Sequence, residues 1–214
     1  FERAQPNAAH HALAHLESTG VLRHLITQNV DDLHARAGSR AITEIHGNRY
    51  RLRCLDCGKR FPRAEFTFEQ LPPRCPPCGG VLKFDTVMFG EPIPPDALRA
   101  AREEALRADC MLVVGTSAVV HPTAELPIIT RQNGGVIIEI NPEASALTRA
   151  CHLSLRGAAG MVAPALVALV EGVNWRLRPG EYWAVGGLQW AGKSDWLTTV
   201  AGLQPPAAGG HFLF

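Results

Sequence analysis

Four cysteines constrain this chain more than any other feature. Cys54, Cys57, Cys75 and Cys78 stand as two C-x2-C pairs separated by seventeen residues. A tetrahedral site of four thiolates needs two tight knuckles, each presenting a pair of sulfurs, and a connecting loop long enough to fold the pairs together. A disulfide or a pair of buried thiols would not require the doubled spacing. Each knuckle is followed by glycine, Gly58 and Gly79, which suits backbone wrapping close around a metal. No His, Asp or Glu joins the quartet, so the pattern predicts a closed, structural Zn2+ site rather than a catalytic one. The chemistry is therefore expected elsewhere.

With 214 residues the chain can bury a full core. An apolar fraction of 46% against 19% charged residues describes a folded globular protein and excludes a disordered one. A formal charge of +1 gives nucleic-acid binding no bulk electrostatic support, so no nucleic-acid partner is expected. Six arginines (49, 51, 53, 60, 63 and 74) surround the cysteines without an aromatic stacking set, which reads as a solvated face. No apolar run reaches membrane-spanning length and no signal-peptide pattern opens the chain. Zinc-spaced thiols in that setting point to the reducing cytoplasm. Cys110 and Cys151 lie among apolar neighbours and are expected to be buried and unreactive. The ends, Phe1 and Phe214, read as cuts through something larger.

Pro6 and the following NAAHHALAHLESTG predict a helix with proline near its first turn and Gly20 as its stop. Ala9, Leu13 and Leu16 fall on its buried face, and His10, His11 and His15 are surface or partly buried residues along it. Leu25-Ile26-Thr27 reads as a short strand, and QNVDDLHARAG as a short helix ending near Gly38. A helix returns from Asp96 to Ala108, and the apolar runs CMLVVG and GGVIIEIN read as buried strands. Helices alternating with short all-apolar strands argue for an α/β fold with a parallel sheet covered on both faces. Ligands of such sheets bind outside the carboxyl ends of the strands. Three polar clusters fall there: Gln28-Asn29 with Asp31, Gly115-Thr116-Ser117, and Asn141 with Glu143. Any one of them alone reads as a strand-ending turn; three together favour a crevice for a ligand bearing ribose and phosphate.

These segments together resemble the sirtuins, the NAD-dependent protein-lysine deacylases. The matching runs are PNAAH (6–10), TQNVDDLH (27–34), Ala37-Gly38, E-x-HG (44–47), the cysteine quartet, VMFGE (87–91), GTSAVVHP (115–122) and EINPE (139–143), in the family's order. The resemblance implies a Rossmann-like, NAD+-binding domain over 1–47 and 91–173, with a small zinc-ribbon domain inserted over 48–90. It also implies an acylated-lysine protein or peptide as partner, whose acyl group passes to ADP-ribose as nicotinamide leaves. His46 matches the catalytic general base, a role suited to a side chain that takes a proton near neutral pH. Asn29 matches the residue orienting the ribose or the attacking water. Gln28 and Asp31 match contacts near the nicotinamide ribose. Gly115, Thr116 and Ser117 match a turn that approaches the dinucleotide closely, Asn141 and Glu143 match adenosine-side contacts, and Ala159 falls near the adenine. Val87, Phe89, Gly90 and Glu91 match the strand that pairs with substrate backbone. Val87 and Phe89 either line the acyl-lysine tunnel or serve packing.

Two departures accompany the match. The family carries a glycine-rich pyrophosphate loop before the PNAAH helix, whereas five residues precede Pro6 here, which predicts weak NAD+ binding and low turnover. Beyond residue 173, Gly187-x4-Gly192-Lys193-Ser194 has Walker A spacing between a strand-like and a helix-like run. Residues 174–214 thus resemble the opening of an ABC-transporter ATPase domain, a short P-loop-like tail, with Trp190 where those ATPases usually carry glycine. Two further readings stand beside the deacylase: a non-catalytic zinc- and peptide-binding fragment, and an N-terminal extension of an ABC-type ATPase.

Overall fold

The computed structural model describes residues 3–68 and 71–170. The candidate phosphate loop at Gly187, Gly192, Lys193 and Ser194 lies outside the described residues. Helix α1 (Ala8–Ser18) begins where Asn7 accepts from the amides of Ala9 and His10, and His10 closes the capping box by accepting from the Asn7 amide. Asn7 is thus the N-cap, and Pro6 stands directly before it, near the first turn. The buried face is Ala9, Ala12, Leu13 and Leu16, at the expected helical spacing.

Strand β1 (Leu25–Thr27), helix α2 (Leu33–Ala37) and strand β2 (Ile42–Glu44) follow, with β1 and β2 paired in parallel from Leu25↔Ile42 to Thr27↔Glu44. Strands β3 (Gly47–Cys54), β4 (Arg60–Pro62) and β5 (Leu82–Thr86) form a separate antiparallel sheet in the order β4-β3-β5. Helix α3 (Pro95–Arg107), strand β6 (Cys110–Val114), helix α4 (Leu126–Gln132), strands β7 (Val136–Asn141) and β8 (Leu153–Arg156) and helix α5 (Ala159–Val170) complete the described chain. Strands β6, β7 and β8 are parallel neighbours in that order.

The parallel strands therefore fall into two groups, and among the described residues β1 and β6 are not paired with each other. What joins them is a shared pair of helical layers. Leu25, Leu112, Val114 and Ile140 pack with α1 and α5 on one face. Ile26 and Met111 pack with Ala101, Ala105, Leu126 and Ile129 of α3 and α4 on the other. Successive strand residues point to opposite faces, so a run that is apolar throughout buries both. This is a Rossmann-like α/β/α arrangement, and it aims the carboxyl ends of β1, β6 and β7 at a common edge.

The antiparallel sheet has its own core. Leu52 and Leu82 pack with Cys54, Cys75, Phe61, Phe66 and Phe68. Three of the six arginines read as a solvated face also hold ion pairs: Arg53 and Arg60 with Asp85, and Arg51 with Glu44, while the side chains of Arg51 and Arg60 stay partly in solvent. Asp85 is only 3% exposed, and a buried carboxylate is stable when cations hold it. Cys110 is also not buried as expected; it is exposed at the start of β6, whereas Cys151 is half-buried.

Candidate active site and zinc cluster

The two knuckles are built alike. Gly58 and Gly79 both sit at φ +72°, and their amides donate to the carbonyls of Cys54 (3.2 Å) and Cys75 (2.8 Å) respectively. The amides of Cys54 and Cys75 in turn donate to the carbonyls of Lys59 and Gly80. This brings all four sulfurs within 4.8 Å of one another, with Cys54–Cys78 at 3.5 Å and Cys57–Cys75 at 3.7 Å. Tetrahedral Zn–S bonds require sulfurs about 3.8 Å apart, so the quartet fits the ion the spacing predicts. Without a metal the quartet splits its proton affinities: the Cys57 amide is the first cause lowering the Cys54 thiol to about 7, whereas burial pushes Cys75 up to about 12.

His46 occupies the turn between β2 and β3. Its neighbour Gly47 is there of necessity: at φ +78°, a Cβ would stand 1.9 Å from the carbonyl oxygen of Asp85. That closeness lets β3 and β5 meet beside the histidine, and the Val87 amide donates to the His46 carbonyl at 2.9 Å. The ring Nδ1 lies 3.2 Å from the carbonyl oxygen of Gln28. A carbonyl only accepts, so Nδ1 carries the hydrogen and the neutral ring keeps its lone pair at Nε2. The ring is half-buried.

From Gln28 the connection continues. Its side-chain amide donates to Thr116 Oγ1 at 3.5 Å, and the Thr116 carbonyl accepts from Asn141 Nδ2 at 2.8 Å. One line of polar groups thus runs from His46 across the ends of β1, β6 and β7. Within the turn after β6, Ala118 adopts φ +55°, an uncommon conformation for a residue with a Cβ, and donates to Thr116 Oγ1 at 3.1 Å. Gly115 and Ser117 are exposed on this turn, and the Ser117 carbonyl accepts from the Ala146 amide.

Asn29 is exposed and its amide donates to Thr27 Oγ1; Asp31 caps the Leu33 amide at 3.1 Å. Both line a small crevice shared with Thr27, Asp32, His34 and Glu44. Its carboxylates suit ribose hydroxyls, which donate, rather than phosphates, which repel them. Glu143 is exposed and its carbonyl accepts from Arg156, while Ala159 opens α5 and packs toward the α1 core. Val87 is half-buried, and Phe89, Gly90 and Met88 are exposed, Phe89 completely.

Several participants escape a motif-based reading. Asn48, 3% exposed, donates to Asp32 at 2.8 Å and to Glu44 at 2.6 Å, tying α2 to the start of β3. His34 stacks near His10 with ring centroids 4.7 Å apart; burial, then the His10 charge, lowers it to about 4. Glu139 is fully buried in β7. Burial pushes its carboxyl up, but the hydroxyls of Ser145, Thr148 and Ser154, with Arg156, outweigh that and hold it below the usual range. Its signal was in the sequence: a lone charge inside an apolar strand demands partners.

The Sir2 family matches residues 1–122 of the chain. An NAD-dependent protein deacylase of Thermococcus kodakarensis is 49% identical over 177 residues, 80% of this chain and 69% of that protein. The chain belongs to the Sir2 family. An NAD-dependent protein deacylase of Archaeoglobus fulgidus is 51% identical over 168 residues, covering 78% of this chain and 69% of that one. Among solved structures, a mutant Sir2 homologue in complex with ADP-ribose superposes with a TM-score of 0.73 at 49% identity, over 81% of this chain and 72% of that chain. A Sir2 complex with a p53 peptide and NAD+ superposes at 0.70 with 36% identity, over 78% of this chain and 71% of that one. Such Sir2 structures share the Rossmann-like architecture. Among the described residues no helix is long and apolar enough to cross a membrane.

Proposed function

We propose that this Sir2-family chain is an NAD-dependent protein-lysine deacylase whose general base is His46. The observation that carries the reading is the hydrogen bond from His46 Nδ1 to the Gln28 carbonyl at 3.2 Å. In the neutral ring it leaves Nε2 as the acceptor for a hydroxyl proton, and it fixes the ring plane. The line through Gln28, Thr116 and Asn141 supports assigning the three strand ends to one dinucleotide crevice. Within it Asn29, Asp31 and Gln28 would hold the ribose beside nicotinamide. The 115–117 turn, Asn141, Glu143 and Ala159 would hold the remainder. When bound, NAD+ supplies ADP-ribose as acceptor of the acyl group, with nicotinamide as leaving group. The structural zinc would hold the β3–β5 sheet, which carries the 87–91 segment beside His46.

The acyl-lysine substrate is assigned to the Val87–Phe89 segment, exposed at Met88 and Phe89, where backbone pairing would tolerate many sequences and Phe89 offers an apolar wall. The test is incubation with NAD+ and an acetyl-lysine peptide, followed by mass spectrometry. Equal amounts of free-lysine peptide and nicotinamide, both dependent on NAD+, are expected. Binding of the peptide with no nicotinamide release would replace the enzyme by a peptide-binding module.

A further inference from the structure

Glu91 ends the VMFGE segment, yet its carboxylate points back into the protein. Oε2 accepts from the Met88 amide at 3.1 Å, and the Glu91 amide donates to the Met88 carbonyl at 2.9 Å, so the 88–91 turn is closed on both sides. The same carboxylate accepts from Lys83 Nζ of β5 and, at 3.0 Å, from Arg53 of β3. Lys83 also donates to the Thr86 carbonyl at 2.9 Å, and Arg53 pairs with buried Asp85, which holds Arg60 as well. Five charged groups therefore fasten one turn to the antiparallel sheet. The turn carries Met88 and Phe89 out into solvent, 64% and 100% exposed, directly after the residue bonded to the His46 carbonyl.

An exposed apolar turn has no packing of its own to hold it. Its shape depends on what its polar neighbours impose. We propose that Glu91 is a positioning residue for the acyl-lysine substrate: without meeting it, the carboxylate holds the Met88–Phe89 turn in the form that receives the peptide beside His46. This deepens the deacylase reading and rests on it. The charge matters as well as the shape, because Lys83 and Arg53 bind a carboxylate more strongly than an amide. A turn released from this clamp must be ordered again by each incoming peptide, and that ordering weakens binding.

The distinguishing experiment compares wild type, Glu91→Gln and Lys83→Met by fluorescence anisotropy with a labelled acetyl-lysine peptide. ADP-ribose affinity is measured calorimetrically on the same preparations, with melting temperatures alongside. Glu91→Gln is expected to bind the peptide about tenfold more weakly, with ADP-ribose affinity within about twofold of wild type. Lys83→Met should move peptide affinity in the same direction by a smaller factor. Unchanged peptide affinity in both variants overturns the proposal, as does a parallel fall in ADP-ribose affinity, which would mark general unfolding. Wild type that binds no acetyl-lysine peptide overturns it too. The deacylase reading fails by a different sign: peptide bound normally by wild type with no nicotinamide formed from NAD+.

Discussion

The side-chain amide of Gln28 reaches Thr116 Oγ1 at 3.5 Å, across 88 positions of sequence. Its backbone carbonyl meanwhile takes the Nδ1 hydrogen of His46. One residue thus sets the tautomer of the proposed base and ties it to the proposed dinucleotide turn. Among the described residues β1 and β6 do not pair with each other, and this side-chain bridge connects their ends.

Replacing His46 with alanine should lower the deacylation rate by about 10²–10⁴-fold, the range general-base removal commonly costs. ADP-ribose affinity should stay within about twofold, since the ring's proposed work is proton transfer. Single-turnover product formation and calorimetric titration separate the two quantities.

Asn141→Ala removes the donor to the Thr116 carbonyl and frees the turn that Ala118 strains. A loss of about 1 kcal/mol, roughly fivefold in ADP-ribose affinity, is expected. The melting temperature should change little, because Asn141 lies at the end of β7 and outside the apolar core.

Metal analysis should find about one zinc per chain, and Cys54→Ser should abolish stoichiometric binding. Thiolates must lose protons to bind metal, so zinc should be released as the pH falls, detectable with a chromogenic chelator. Circular dichroism should then report loss of the β3–β5 sheet, where Cys54 and Cys75 are two of the four buried core residues.

Gly47→Ala would place a methyl group 1.9 Å from the Asp85 carbonyl oxygen in a left-handed conformation. Relief requires parting β3 from β5, at a cost of about 2–4 kcal/mol measurable by denaturant unfolding.

Acidification should destabilise the fold before the carboxylates titrate. His34 ordinarily titrates at 6.5 and is lowered to about 4 in the folded chain, with His10 lowered in the same direction. The unfolded chain therefore binds more protons across that window, and stability falls as pH drops through it. Glu91 and Glu139, whose carboxyls are lowered from 4.5, add their losses only below that value. Melting temperature should decline between about pH 7 and about pH 5, and His34→Asn should flatten that decline.

What was legible in advance followed local rules. The C-x2-C pairs with trailing glycines dictate knuckles, because a left-handed turn and two sulfurs three residues apart are properties of a short stretch of backbone. The same holds for the strand at Leu25–Thr27 and for the buried face of α1, where periodicity alone selects Ala9, Leu13 and Leu16. Even Gly38 declared the end of α2, at φ +115°. Pro6 stands near the first turn as expected, while Asn7 makes the cap, since its side chain offers the helix amides an acceptor and proline offers none.

The tertiary structure decided which polar groups meet. Gln28, Thr116 and Asn141 each end a different strand, and only the layering of α1 and α5 against α3 and α4 brings those ends together. Arg53, Arg60 and Glu91 look like surface charges in one dimension, yet antiparallel pairing of β4, β3 and β5 sets them around Asp85 and Met88. Arg60 meets Asp85 across 25 residues, and Arg53 meets Glu91 across 38. A periodicity rule carries no information over such distances, because side-chain hydrogen bonds are fixed by where the sheets fold, not by the neighbours in the chain.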